Sequence, residues 1–226
     1  MLTLAIDCSA RFCAVALYSQ VDDRVLAQSA PDIGRGHAER LPGVLETVLD
    51  QAGVGLARIG RLGVTIGPGS FAGIRVGVAF ARGLALALDV PVVGVGTLEA
   101  LAFPAAANCR RPMMAVFDAR RDRVWAIVAG PDGVVMSPGA EMTPQAAADL
   151  AIHSDCEIIG SGAPLLAECD PALRARIIGE DAAPAIAEVA RLAARLDPTQ
   201  NPAEPRYLRD ADAKPQIGFA LPHKGA

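Results

Sequence analysis

The chain has 226 residues, a formal net charge of −4 and 52% hydrophobic residues, enough to bury a core in one large domain or two small ones. The acidic balance excludes a broad electrostatic footprint for nucleic acid on this chain alone. Its five cysteines (8, 13, 109, 156 and 169) are odd in number and lack CxxC spacing, so they read as small buried residues in a reducing compartment rather than a disulfide frame or a zinc site.

The N-terminus is apolar but has no basic region, and Asp7 interrupts it. No targeting segment is therefore expected, and a cytoplasmic location is. Residues 4–6 and 13–19 are apolar runs around the polar turn Asp7-Cys8-Ser9-Ala10-Arg11, a hairpin pattern, with 25–29 as the next strand. Leu41, Val44, Leu45, Val48 and Leu49 recur at helical spacing and predict an amphipathic helix over 38–52 that Gly53 ends, with Pro42 in its first turn. Residues 62–66 run into a turn of Gly67, Pro68, Gly69, Ser70 and Gly73, then into a helix over 74–88 that is apolar almost all round. Strand, tight turn and helix in that order make an α/β unit. A helix with no polar face must be buried, in its own core or against another chain. Its length would also suit a membrane, but Arg75, Arg82 and Asp89 argue against a span. A strand over 92–95, a short helix over 97–103 and a joint over 104–112 follow.

After the joint the opening pattern returns. Residues 115–118 end in Asp118, a polar turn runs from Ala119 to Arg123, and 124–129 is a second apolar run. Setting Asp118 on Asp7 aligns both hairpins without a gap and suggests a duplicated hairpin opening each half. A helix over 144–152, a strand over 157–159, the turn Gly160-Ser161-Gly162 and a helix over 183–196 complete the second half. The tail from Asp197 is rich in proline and is expected to be extended, packed around Tyr207 and Leu208, and disordered near its end.

The turn at 67–73 has the glycines of a phosphate loop, but Pro68 offers no N–H and no Lys-Ser or Lys-Thr follows. It reads first as a close-packing turn. Two halves that each open with strand, Asp, turn and strand are the layout of the two-domain actin-like ATPase (ribonuclease H-like) fold. Within that layout LAIDCSARFCAVAL, HAERL, GPGSFAGIRVG, GLALAL, VGVGTLEALA, DARRDRVWA and PRYLR stand in the order and spacing of the TsaB (YeaZ) family. The chain resembles that family from about residue 2 to about residue 215, and GPGSFAGIR is the most specific match.

The resemblance implies an α/β protein of two actin-like halves, 1–103 with the partner-docking helices and 104–226 with the extended tail. It also implies a non-catalytic subunit. Such a subunit supports the transferase TsaD as it moves a threonylcarbamoyl group to the adenosine beside the anticodon of tRNAs reading A-starting codons. TsaE joins the complex and TsaC makes the threonylcarbamoyl-adenylate. A homodimer through the same surface is implied when TsaD is absent, and tRNA contact arises only within the complex, if at all. No catalytic residue, metal, cofactor or membrane contact is expected of this chain.

Asp7, Ser9 and Asp118 are the candidates for a vestigial nucleotide site, because actin-like ATPases hold phosphates between two such turns. The second turn carries Arg120, Arg121 and Arg123 but no glycine to let its backbone approach a phosphate. For Asp7 a turn-capping role is the commoner reading. TsaD has an H-x-x-x-H metal pair, whereas this chain reads His37-Ala38-Glu39-Arg40-Leu41, so His37 is expected to be a cap or surface residue. Ser161 reads as part of a strand-end turn, with an adenosine-side loop as the alternative, and Trp125 reads as core.

For partner binding the residues singled out are Leu41, Leu45 and Val48 on the first helix and Ile74, Val78, Ala81, Arg82 and Ala85 on the second. Val76, Phe80, Leu84 and Leu88 form the alternative stripe. An independent actin-like ATPase or small-molecule kinase stays open as the competing function.

Overall fold

The computed structural model describes residues 1–206. The packing expected around Tyr207 and Leu208 lies outside the described residues. In the first half, β1 (Leu2–Asp7), β2 (Ala14–Ser19) and β3 (Arg24–Ser29) form an antiparallel meander. Strands β4 (Ile59–Gly67) and β5 (Val92–Gly96) add in parallel to β1, giving the order β3-β2-β1-β4-β5. Helix α1 (His37–Ala52) links β3 to β4, and α2 (Phe71–Leu88) links β4 to β5. After α3 (Thr97–Ala106) the second half repeats the plan. Strands β6 (Met113–Asp118), β7 (Val124–Ala129) and β8 (Val135–Met142) form the meander, and β9 (Glu157–Ile159) and β10 (Ile177–Gly179) add in parallel, in the order β8-β7-β6-β9-β10. Helices α4 (Pro144–His153) and α5 (Ala163–Cys169) are its crossovers, and α6 (Ile186–Arg195) closes the regular structure.

The two sheets are thus topological duplicates, which is the two-domain actin-like arrangement. Asp7 ends β1 opposite Ala14, and Asp118 ends β6 opposite Val124. The aspartates are equivalent, but the second turn is one residue shorter than the first. The gap-free hairpin alignment read from sequence is therefore corrected by one position in the return strand.

Strand alternation sets the layers. Leu4, Ile6, Val15 and Leu17 face α1 and α2, whereas Ala5, Ala14, Ala16 and Tyr18 face α6. The second sheet divides likewise, with Met114 and Val116 toward α4 and α5, and Met113, Ala115 and Phe117 toward α3. Each half therefore lends its last helix to the other. α3 covers β6 and β7, and α6 returns to cover β1, β2 and β4. The 103/104 division falls inside α3, and only residues 107–112 remain as a connector.

Close approach of α6 to the first sheet explains a glycine in the middle of a strand. A Cβ on Gly63 would overlap the Ala193 side chain. Arg61, two residues earlier, sends one guanidinium nitrogen to the carbonyls of Ala193 (2.9 Å), Ala194 (3.3 Å) and Leu196 (2.8 Å). These are the orphan acceptors at a helix C-terminus, where a cation is also favoured by the helix dipole. Arg61→Ala is expected to lower stability by about 2 kcal/mol, and Arg61→Lys to recover part of that, since one point charge reaches fewer carbonyls. Urea unfolding checks both.

Candidate functional site

The C-terminal ends of β1 and β9 reach the cleft between the halves, through Asp7 and Ile159. Asp7 is 1% exposed. Its Oδ1 accepts from the Ser9 amide at 2.8 Å and from the Thr65 hydroxyl at 2.6 Å. It is a turn cap tied to the neighbouring strand. Asp118 repeats the motif, its Oδ1 accepting from the Arg120 amide at 2.7 Å. Residues 120–122 all take left-handed backbone conformations, with φ of 64°, 55° and 57°. The arginines of this turn are engaged locally, Arg120 with Asp118 at 3.0 Å and Arg123 with Glu141 at 3.2 Å. Trp125 donates its indole N–H to the same Glu141 at 3.3 Å, so it is only partly buried and carries a polar tie that the expectation of core packing did not include.

The cleft has a volume of about 450 Å³ and is mostly apolar, bounded by Phe12, Leu101, Pro104 and Ile159 among others. Among the described residues the charged ones lining it are Asp7, Asp181 and Glu188. Ser161 Oγ accepts from the Asp118 amide at 3.3 Å, which makes the 160–162 segment a strand-end turn braced on β6. Among the described residues no group of three His, Cys, Asp or Glu side chains is placed to hold a metal ion.

Removing the Asp7 carboxylate leaves the Ser9 amide and the Thr65 hydroxyl without their acceptor in a dry place. Asp7→Ala is expected to cost about 2–4 kcal/mol, while Asp7→Asn, which keeps an oxygen there, costs clearly less. Thermal unfolding of both variants checks this.

The Gly67–Ser70 turn packs against the first hairpin. The Ser70 amide donates to Ser9 O at 2.6 Å, and a Cβ on Gly69 or Gly73 would overlap Ser9 O or Cys8 O respectively. Ser70 then caps α2 by accepting from the Gly73 amide at 3.3 Å. These glycines serve close packing. His37 is buried at the start of α1, where Nε2 donates to Phe12 O at 3.1 Å. It anchors the helix to the hairpin turn and is not a surface residue. Pro42 lies in the second turn of α1 on its exposed face, not in the first.

The docking residues read from sequence need correction. Leu41, Leu45 and Val48 on α1 and Ile74, Val78, Ala81 and Ala85 on α2 all pack under the first sheet. Of the residues named, only Arg82 faces out. The outward face of α1 carries Ala38, Pro42 and Gly43 near its start among the polar Glu39, Arg40, Glu46, Thr47 and Asp50. The outward face of α2 is mainly apolar. Ala72, Val76, Ala79, Gly83 and Leu86 follow a 4-3-4-3 spacing, that of a helix–helix seam. All are exposed except the half-buried Val76, and Leu86 reaches 85% exposure. A Cβ on Gly83 would meet nothing within 4 Å. The helix is long and apolar enough to cross a membrane by composition, but its inner stripe is committed to the core.

Comparison with known proteins agrees with this architecture. The family model described as TsaD, tRNA N6-adenosine threonylcarbamoyltransferase, matches residues 29–143. The tRNA threonylcarbamoyladenosine biosynthesis protein TsaB of Escherichia coli is 36% identical over 126 residues, 55% of this chain and 53% of that protein. A tRNA N6-adenosine threonylcarbamoyltransferase of Gluconobacter oxydans is 40% identical over 88 residues, 38% of this chain and 24% of that enzyme. The alignments thus span about half the length of the curated TsaB relatives. Two solved Pseudomonas aeruginosa structures are matched along their whole length. YeaZ has a TM-score of 0.73 at 29% identity, covering 92% of this chain and 100% of that one. A protein described as similar to peptidase YEAZ has a TM-score of 0.76 at 30% identity, covering 92% and 99%. The duplicated sheets, the glycine-packed loop before α2 and these matches establish that the chain belongs to the TsaB (YeaZ) family.

Proposed function

We propose that the chain is a non-catalytic subunit that docks, through the outer face of α2, onto a TsaD-type transferase and supports threonylcarbamoyl transfer to the adenosine next to the anticodon of tRNAs reading A-starting codons. The observation that carries this is the exposed apolar seam Ala72-Val76-Ala79-Gly83-Leu86 on a helix whose opposite stripe is already used by the core. Small residues at its centre let a facing helix approach closely, and Leu86 supplies the apolar anchor. Arg82, exposed beside the seam, suits a carboxylate at its rim. TsaE is proposed as a further member of the complex, and a homodimer through the same seam as the resting form, in the cytoplasm.

Asp7, Ser9 and Asp118 act in this reading as turn-building residues inherited from an ATPase frame. The second turn, which carries Arg120, Arg121 and Arg123 and no glycine to let its backbone approach a phosphate, is the reason to prefer a subunit over an independent ATPase or kinase. Reconstitution tests the choice. Transfer to tRNA by the TsaD-type enzyme, with TsaE and TsaC present, is expected to depend on adding this chain, which hydrolyses no ATP alone. Full transfer without the chain, or robust ATP hydrolysis by the chain alone, would overturn the proposal.

A further inference from the structure

The antiparallel pairing of β1 with β2 runs from Leu2↔Ser19 to Asp7↔Ala14. The next residues in that register are Cys8 and Cys13. The Cys13 amide donates outward to Pro31 O at 3.1 Å, continuing the pairing with the β3 side. In an antiparallel strand the N–H and C=O of one residue point to the same side, so Cys13 faces Cys8 as a non-hydrogen-bonded pair. This is the position where Cα atoms approach to about 4.5 Å and side chains are closest. That separation falls within the range a disulfide spans. Both side chains belong to the core under α1 and α2, with Cys8 1% and Cys13 0% exposed.

We propose that Cys8 and Cys13 form a redox pair that closes to a disulfide across the first hairpin and so fixes the turn on which α2 is seated. The neighbouring Cys13 sulfur and burial push the Cys8 thiol above its usual range. Either sulfur can be oxidised first, with the other beside it. With hydrogen peroxide as the oxidant and Cys13 oxidised first, the Cys13 thiolate attacks one oxygen and the O–O bond breaks, leaving Cys13 sulfenic acid and hydroxide. The Cys8 sulfur then attacks the Cys13 sulfur, forming the S–S bond and breaking the S–O bond. Water leaves, so two thiols and one peroxide give one disulfide and two waters. The Ser9 carbonyl accepts from the Ser70 amide and the Cys8 carbonyl lies against Gly73, and the tie therefore acts directly on the N-terminus of α2.

Trypsin cleavage after Arg11 makes the test direct, because it separates residues 1–11 from 12–24 unless a disulfide joins them. The full-length reduced protein is treated with one equivalent of hydrogen peroxide, denatured, alkylated and mass-measured before and after digestion. The expected result is three alkyl groups instead of five, a mass two hydrogens below that of the reduced chain carrying three alkyl groups, and peptides 1–11 and 12–24 linked. The Cys8→Ala variant should yield no linked peptides. In the oxidised wild type, hydrogen exchange at the Ser70 amide should slow. Retention of five alkylated thiols, oxidation confined to Cys109, Cys156 or Cys169, or a Cys8 or Cys13 oxyacid without the link would overturn the pairing. Unchanged exchange at Ser70 would overturn its action on α2.

Discussion

Gly73→Ala is expected to destabilise the protein by about 3 kcal/mol or more, although it adds one methyl group to a helix and alanine favours helices. The methyl carbon would overlap the carbonyl oxygen of Cys8, a backbone atom of the hairpin turn that has no rotamer to yield. Relief requires lifting the first turn of α2 off the sheet, breaking the Ser70 cap and the Ser70–Ser9 bond together. The same substitution on the same helix at Gly83, where the new methyl would meet nothing, is expected to stabilise by about 1 kcal/mol. Opposite signs from two chemically identical changes isolate packing from propensity. Urea titration of the two variants beside the wild type measures both, and equal effects would contradict the packing argument.

The second large effect is on association. Ala79→Glu places a carboxylate at the centre of the exposed seam of α2, where the isolated chain tolerates it in water. At a docked interface the charge is desolvated and unpaired, which costs about 3 kcal/mol or more, a loss of roughly a hundredfold or greater in affinity. Calorimetry against the TsaD-type enzyme reads it, with circular dichroism to show that the variant stays folded. Val78→Glu, one residue away, should behave differently. Val78 is 4% exposed and packs beneath the sheet, so the buried carboxylate is expected to unfold the chain rather than release a partner. If Val78→Glu folds normally and loses only binding, the inner and outer stripes have been assigned the wrong way round.

That assignment marks where sequence reading stopped. The strand, turn and helix around Gly67–Gly73 and the paired Asp7 and Asp118 were legible because local rules govern them. Alternation, glycine and an Asp two residues before the N–H it caps all operate within a few positions. The helix α1 was legible because its apolar residues keep to one face. In α2 the apolar residues surround the axis, so periodicity carries no direction: Ile74, Val78, Ala81 and Ala85 turned out to be the inner stripe, and the bulkier Val76, Phe80, Leu84 and Leu88 are half-buried beside it. The strand β8 was missed because Pro138 and Gly139 interrupt any alternation in it, yet an edge strand tolerates proline where no partner needs its N–H. The short α5 and β10 give too few residues for a period. The return of α6 to the first sheet is a long-range choice, visible afterwards in Gly63 and Arg61 but not announced by either. His37 went to the core because its ring bonds to a carbonyl from a turn twenty-five residues earlier in the chain, a contact no local pattern encodes.

The central claim, that this chain serves tRNA modification by docking through the outer face of α2, is tested most directly in cells depleted of the chain and complemented with chosen variants. Nucleoside mass spectrometry of bulk tRNA reports the threonylcarbamoyladenosine level. The account predicts that the level falls on depletion, returns with the wild type and with Val21→Ser, an exposed change outside α2, and stays low with Ala79→Glu expressed at equal abundance. An unchanged level on depletion, or full restoration by Ala79→Glu, would contradict it.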